Sequence, residues 1–210
     1  MRLTATQAKF SVWLLYVVAF LPAIWMAWLT VNDALGADPV RELEHRLGLW
    51  ALRFLILALC VTPIRQLFRI NLLRYRRALG LSAFWYALIH LLVWLFLDRQ
   101  LEMQAIVADI IKRPYITIGM AAFALLIPLA LTSNRFSIRK LGGAAWARLH
   151  KLAYVATALA ALHFVMVVKS WPPEPLIYSA IVATLLLFRA VQAARLRRRA
   201  EPAPLPRPAR

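Results

Sequence analysis

The chain is poor in the residues that build most soluble sites. It has one cysteine, Cys60, inside an apolar run, so no disulfide framework and no thiolate cluster for zinc or an iron–sulfur centre is available. Cys60 reads as a packing residue. There is no G-x-G-x-x-G pattern and no P-loop, which excludes the usual routes to dinucleotide binding and ATP hydrolysis. Acids are scarce as well: nine Asp and Glu stand against 26 Lys and Arg, and none falls in the long apolar stretches. A relay of buried carboxylates is therefore not expected inside those stretches.

What is abundant is hydrophobic sequence, 62% of the chain, with a mean hydropathy of +0.66. That exceeds the apolar share of a soluble domain. Six runs are long enough to cross a bilayer: Phe10 to Thr30, Leu47 to Ile64, Leu79 to Leu97, Ile116 to Thr132, Leu149 to Val168 and Leu176 to Ala194. They are continuous rather than alternating, and a backbone in lipid must satisfy its own amides, so helices are expected and not a barrel. The fold class is all-α: a polytopic membrane protein with six transmembrane helices in a bundle, over residues 1–195. Residues 196–210, basic and then proline-rich, are expected to form a disordered, lipid-associated cytoplasmic tail. The first run exceeds the length of a signal-peptide core and carries Trp13, Trp25 and Trp28, so it is read as a retained span. No internal repeat strong enough for inverted-repeat symmetry stands out.

The net charge of +17 raises nucleic acid as a partner, but the cations sit in alternate loops. Lys and Arg number 18 on the side that holds both termini, Arg65 to Arg77 and Arg135 to Lys151, and 6 on the other. The positive-inside rule then puts both termini in the cytoplasm and accounts for the basicity by membrane lipid rather than nucleic acid. The outward loops hold eight of the nine acids and form the face open to a partner.

Against this background the histidines stand out. His90 and His163 lie deep in the third and fifth runs, which cross in the same direction. His90 is eight residues before Asp98 and His163 six before Lys169, about 12 Å and about 9 Å from the outer boundary at 1.5 Å per residue. Imidazoles at matched depth on two helices suggest a shared metal, in a membrane most often heme iron, with both axial positions filled and no site left for substrate. The bland alternative is two separate core histidines bonded to nearby carbonyls.

Arg53 lies about 10 Å below the outer boundary, seven residues after Arg46 and on nearly the same helix face. Two readings stand for it: a partner for a heme propionate, or a side chain that snorkels to the surface. His150, 13 residues before His163, is placed near the cytoplasmic face, either in a second redox centre or as an interfacial histidine beside Arg148 and Lys151. At the matching inner position of the third run stands Arg77, not a histidine. His45, just before the second run, reads first as a solvated loop residue and second as part of a quinone site or partner contact. Trp85, Tyr86 and Trp94 around His90 read as packing and interface anchors.

The chain resembles the ferric-reductase-like transmembrane cytochromes, and among them the heme-binding subunits of protein-methionine-sulfoxide reductase systems. The resemblance covers nearly the whole chain. It rests on the runs Arg46 to Phe54, Val61-Thr62-Pro63, Arg76 to Leu81 leading to His90-Leu91, Arg113 to Gly119, Lys140-Leu141-Gly142 leading to Trp146 and Leu149-His150, and Pro175 to Tyr178. It implies a b-type cytochrome of the bacterial inner membrane. Such a protein takes electrons from the respiratory quinone pool across the membrane to a periplasmic molybdenum-containing methionine sulfoxide reductase that repairs oxidised envelope proteins. It also implies His90, His150 and His163 as heme ligands, with Arg77 where larger relatives have a fourth histidine, and FMN as a second cofactor. Arg74 and Arg77 are placed to hold a flavin phosphate or to meet anionic lipid. On this reading the chain transfers electrons and leaves substrate chemistry to its partner. The competing classes are another electron carrier of the same kind, a proton-coupled transporter and an assembly subunit without cofactor.

Overall fold

In a computed structural model that describes residues 4–168, 170 and 172–200, all regular structure is helical. The helices are α1 (Ala5–Val31), α2 (Pro39–Leu67), α3 (Arg76–Val93), α4 (Met103–Lys112), α5 (Pro114–Leu131), α6 (Arg135–Leu141), α7 (Gly143–Leu149), α8 (Leu152–Val167) and α9 (Pro173–Ala200). A π-helical turn, Trp94–Asp98, continues α3. Six stretches are long and apolar enough to span a bilayer, and the shortest, Pro114–Leu131, rises about 27 Å. Their outward faces are apolar: Trp13, Val17, Leu21, Trp25 and Trp28 are all exposed on α1. An apolar belt of this kind fits lipid as the surrounding solvent.

Four helices form a ring. α2 packs on α3, α3 on α5, α5 on α8, and α8 back on α2, while α1 leans on α3 and α2, and α9 on α8 and α2. α3 and α8 are thus diagonal to each other across the ring. Small residues let the helices approach: Ser82 and Ala83 on α3 and Ala156 and Thr157 on α8 are fully buried. Ala83 and Ala156 each lie seven residues before a histidine, on the same helix face.

Several boundaries differ from the sequence-based expectation. α2 starts at Pro39, with Asp38 accepting the Arg41 amide as a helix cap and proline in the first turn. Glu42, Glu44, His45 and Arg46 are therefore helical, and His45 is not in a loop. Among the described residues, acids do occur inside span-length helices, but only at the end of the bundle that also holds α4; we call this the acidic end. The segment between the third and fourth runs contains α4, whose buried Asp109 is clamped by Arg99 at 2.7 Å and Arg113 at 3.1 Å. α9 continues to Ala200, five residues into the segment expected as a tail, and residues 201–210 lie outside the described part, as do Lys169 and Arg2.

Tyr86 ties α1 to the ring. Fully buried beside Phe20, Trp50 and Phe54, it accepts the Ala23 amide at 3.0 Å and donates to the Ala19 carbonyl at 2.8 Å. The hydroxyl enters α1 next to Pro22, where the backbone is already short of a donor. Tyr86→Phe should cost about 1 kcal/mol, read as a fall of about 3 °C in the melting temperature of the detergent-solubilised protein.

Candidate metal centre

His90 on α3 and His163 on α8 project from the diagonal helices to the middle of the ring, with ring centroids 6.3 Å apart and planes at 75°. Each is fixed by a neighbouring helix in the same way. His90 Nδ1 donates to the Glu44 carbonyl of α2 at 2.8 Å, and His163 Nδ1 donates to the Tyr115 carbonyl of α5 at 2.7 Å. A carbonyl only accepts, so Nδ1 carries the proton and Nε2 of each neutral ring is left with its lone pair. Metal-bound histidines are typically oriented by such a bond.

One turn beyond each carbonyl stands a glycine. A Cβ on Gly48 would lie 3.3 Å from His90 Nδ1, and one on Gly119 would lie 2.8 Å from His163 Nδ1. The absence of a side chain lets each imidazole rest on helix backbone. All four ring helices thus contribute: two supply imidazoles, two supply carbonyls and glycines.

The spacing fits a shared metal. Two metal–nitrogen bonds of about 2.0 Å, plus roughly 1.1 Å from each nitrogen to its ring centre, put the centroids about 6.2 Å apart. Among the described residues no group of three or more His, Cys, Asp and Glu converges, so a metal held here has two protein ligands and takes the rest of its coordination from elsewhere. A porphyrin would supply four further nitrogens, so a donor set of two imidazoles fits heme.

The other candidate residues are distributed around this pair. Arg53 donates from Nε to the Tyr178 hydroxyl at 2.7 Å, and its guanidinium lies 5.0 Å from the Trp50 ring centre. With Glu42, His45, Arg46, Leu49 and Trp50 it lines a cleft of about 330 Å³, so Arg46 and Arg53 do share a face. His45 lies 3.7 Å from Glu174 and 5.7 Å, ring to ring, from Phe164, the residue after His163. Tyr86 is core, and Trp85 is exposed on the bundle surface.

His150 is apart from the pair. The helix breaks here: His150 caps α7 and α8 begins at Leu152, so ideal-helix geometry does not relate it to His163. Its ring stacks on Trp146 at 3.9 Å, and Nε2 lies 3.0 Å from Thr132 Oγ1. That hydroxyl already donates to the Pro128 carbonyl, so it accepts from His150. Ligation by Nε2 requires giving up Thr132. Arg77 is exposed and neighbours Tyr16 of α1; the charged neighbour of His150 is Arg76.

Sequence reasoning missed Arg189. It lies inside the last span, donates to the Leu59 carbonyl at 3.1 Å, sits 5.7 Å from the Tyr154 ring centre and has Arg76 as a charged neighbour, while its Nε is buried without a partner. The signal was a cation within an apolar run, the same one that drew attention to Arg53.

Taken together, these features define a multi-pass membrane protein with paired imidazoles at the centre of a four-helix ring. The model of the ferric reductase like transmembrane component family matches residues 47–161, from the turn that holds Gly48 almost to His163. Curated proteins from Brucella ovis, Brucella abortus and Brucella melitensis, each named protein-methionine-sulfoxide reductase heme-binding subunit MsrQ, are 60% identical over 89% of this chain and 84% of their own length. The chain belongs to the ferric reductase like transmembrane family and, within it, to the MsrQ subunits.

Proposed function

We propose that the chain is a b-type cytochrome subunit that accepts electrons from the membrane quinone pool and hands them, at its acidic end, to a periplasmic molybdenum-containing methionine sulfoxide reductase. The observation that carries this reading is the matched pair of imidazoles, each with Nδ1 committed to a carbonyl and Nε2 free, at the spacing of two axial ligands. That the relatives are named heme-binding subunits supports it.

His90 and His163 would hold the iron. When bound, heme supplies a one-electron couple between ferric and ferrous iron. The chain's own part is to fix both rings, and Arg53, whose Nε donates to the Tyr178 hydroxyl, would meet an acidic group of the cofactor. Substrate chemistry belongs to the partner, which docks at the acidic end. On this reading the protein lies in the bacterial inner membrane with both termini in the cytoplasm, an orientation that the charge asymmetry supports.

At the basic end Arg76, Arg189 and His150 lie together with no acid among the described residues near them. This is the place for the acidic group of a second cofactor, a further heme ligated by His150 or the phosphate of FMN. Arg74 and Arg77 are both exposed there and meet lipid phosphate.

The test is the absorption spectrum of the purified protein. A Soret band that shifts on reduction, with a b-type pyridine hemochrome, is expected; a colourless preparation removes the reading. Counting hemes per chain and extracting flavin, in wild type and in His150→Ala, settles what the basic end holds.

A further inference from the structure

α4 is too short to cross a bilayer, yet it is firmly placed. Two consecutive left-handed residues, Gln100 at φ 48° and Leu101 at φ 60°, turn the chain at the end of α3, and the Leu101 amide donates to the Leu95 carbonyl at 2.9 Å. α4 then starts five residues after Asp98, the last of the third span, and stops two residues before Pro114, the first of the fourth. Both its ends are level with the ends of spans, so its ten residues run along the bilayer boundary and not across it. Two ties hold it there. Buried Asp109 pairs with Arg99, at the end of α3, at 2.7 Å and with Arg113 at 3.1 Å. Thr117, in the first turn of α5, donates to the Ile110 carbonyl at 2.8 Å.

The side chains of α4 sort into three directions. At about 100° per residue, Met103, Val107 and Ile111 share an arc of about 80°, and they are 71%, 53% and 76% exposed. Ile106 and Asp109, both buried, face the bundle about 130° from the middle of that arc. Exposed Lys112 points about 140° from it on the other side, with exposed Gln104 at the rim. One direction is bundle and one is polar; the third is aliphatic and open. Next to it in the chain, Phe96 and Leu97 of the π-helical turn and Leu101 of the connection are exposed as well. Met103, Val107 and Ile111 bring neither an aromatic ring nor a guanidinium, the groups that anchor protein–protein contacts. At the level of a bilayer boundary, the partner such a stripe fits is hydrocarbon.

We propose that α4 is an interfacial helix, seated in the leaflet at the acidic end with Met103, Val107 and Ile111 among the acyl chains and Lys112 among the headgroups. The proposal stands apart from the heme reading. The two pairs of Asp109 lock the helix against rolling: with Asp109 held on the bundle side, the aliphatic stripe faces lipid and the polar edge faces water. A protein docking at the acidic end therefore meets only the polar edge of α4. The seat also sets the level of the first turn of α5, where the Tyr115 carbonyl accepts from His163.

The experiment uses the full-length protein in lipid nanodiscs, with a nitroxide on one introduced cysteine at a time in a Cys60→Ala background. Depth is read from collision of the label with oxygen, which enters lipid, and with nickel-EDDA, which stays in water. Labels in Met103→Cys, Val107→Cys and Ile111→Cys are expected about 5–10 Å below the phosphates, and the label in Lys112→Cys at or above them. All four replace exposed side chains, so the helix keeps its packing. Adding Asp109→Asn should remove most of the depth difference between the Val107→Cys and Lys112→Cys labels; an unchanged difference overturns the lock. Four labels equally open to nickel-EDDA put α4 in water and overturn the seat. So does a stripe shielded only once the purified periplasmic reductase is added, because its cover is then protein.

Discussion

Replacing His90 or His163 by alanine will strip the protein of its heme while leaving it in the membrane. Both helices have packing besides the rings: α3 buries Tyr86, Ser82 and Ala83, and α8 buries Ala156 and Thr157. The change therefore falls on ligation. Loss of a group that merely orients a ligand costs about 10–100-fold in metal affinity, and loss of the ligand itself costs at least that. Retained heme should drop by roughly an order of magnitude or more in each single variant. The measurement is heme per chain by pyridine hemochrome, normalised to membrane-inserted protein. Full heme in both variants would end the assignment.

The second large effect is expected at a residue with no side chain. In Gly119→Ala the new methyl would lie 2.8 Å from His163 Nδ1 and 2.9 Å from Cε1, inside van der Waals contact. The ring has little room to retreat, because Nδ1 is bonded to the Tyr115 carbonyl at 2.7 Å and the His90 ring lies on its other side, 6.3 Å between centroids. The variant must either break that bond, at about 1–3 kcal/mol for an unpaired buried group, or shift α5 away from α8. Heme affinity should fall about 10–100-fold, measured as the rate of transfer to apomyoglobin. Gly48→Ala should be milder, since its contact with His90 is 3.3 Å and a few tenths of an ångström relieve it. Equal behaviour of the two variants would contradict the closer approach at Gly119.

Much of the fold was legible, because hydropathy reports length and depth directly. The six spans, and the pairing of His90 with His163, follow from positions along parallel helices. What hydropathy hid were the charged helix ends. Arg41, Glu42, Glu44, His45 and Arg46 dilute the start of α2, although Asp38-Pro39 is a helix-start signal that outweighs them. α4 is too short to register as a span, though Met103, Ile106, Val107, Ile110 and Ile111 recur at helical spacing.

Helix register was the other limit. A shift of one residue turns a side chain by about 100°, so Arg76 and Arg77 cannot be told apart from depth alone, yet they face opposite neighbours. The break at His150 has the same consequence: a helix that stops and restarts carries no angular memory. Gly48 and Gly119 were in plain sight within recognisable motifs, but a glycine's purpose lies in what approaches it from another helix. No pattern within one segment reports that.

The way the two rings are shared has a consequence for assembly. Each hairpin, α2 with α3 and α5 with α8, carries one imidazole, one carbonyl brace and one glycine seat, and so provides half a socket. During synthesis the first hairpin enters the bilayer long before the second, and until then it can offer a porphyrin a single axial nitrogen. Cofactor capture must wait for the later hairpin to dock, and once made it bolts the two together. Cells starved of porphyrin should accordingly accumulate a looser, protease-sensitive chain, since binding to the folded state alone raises its stability by mass action.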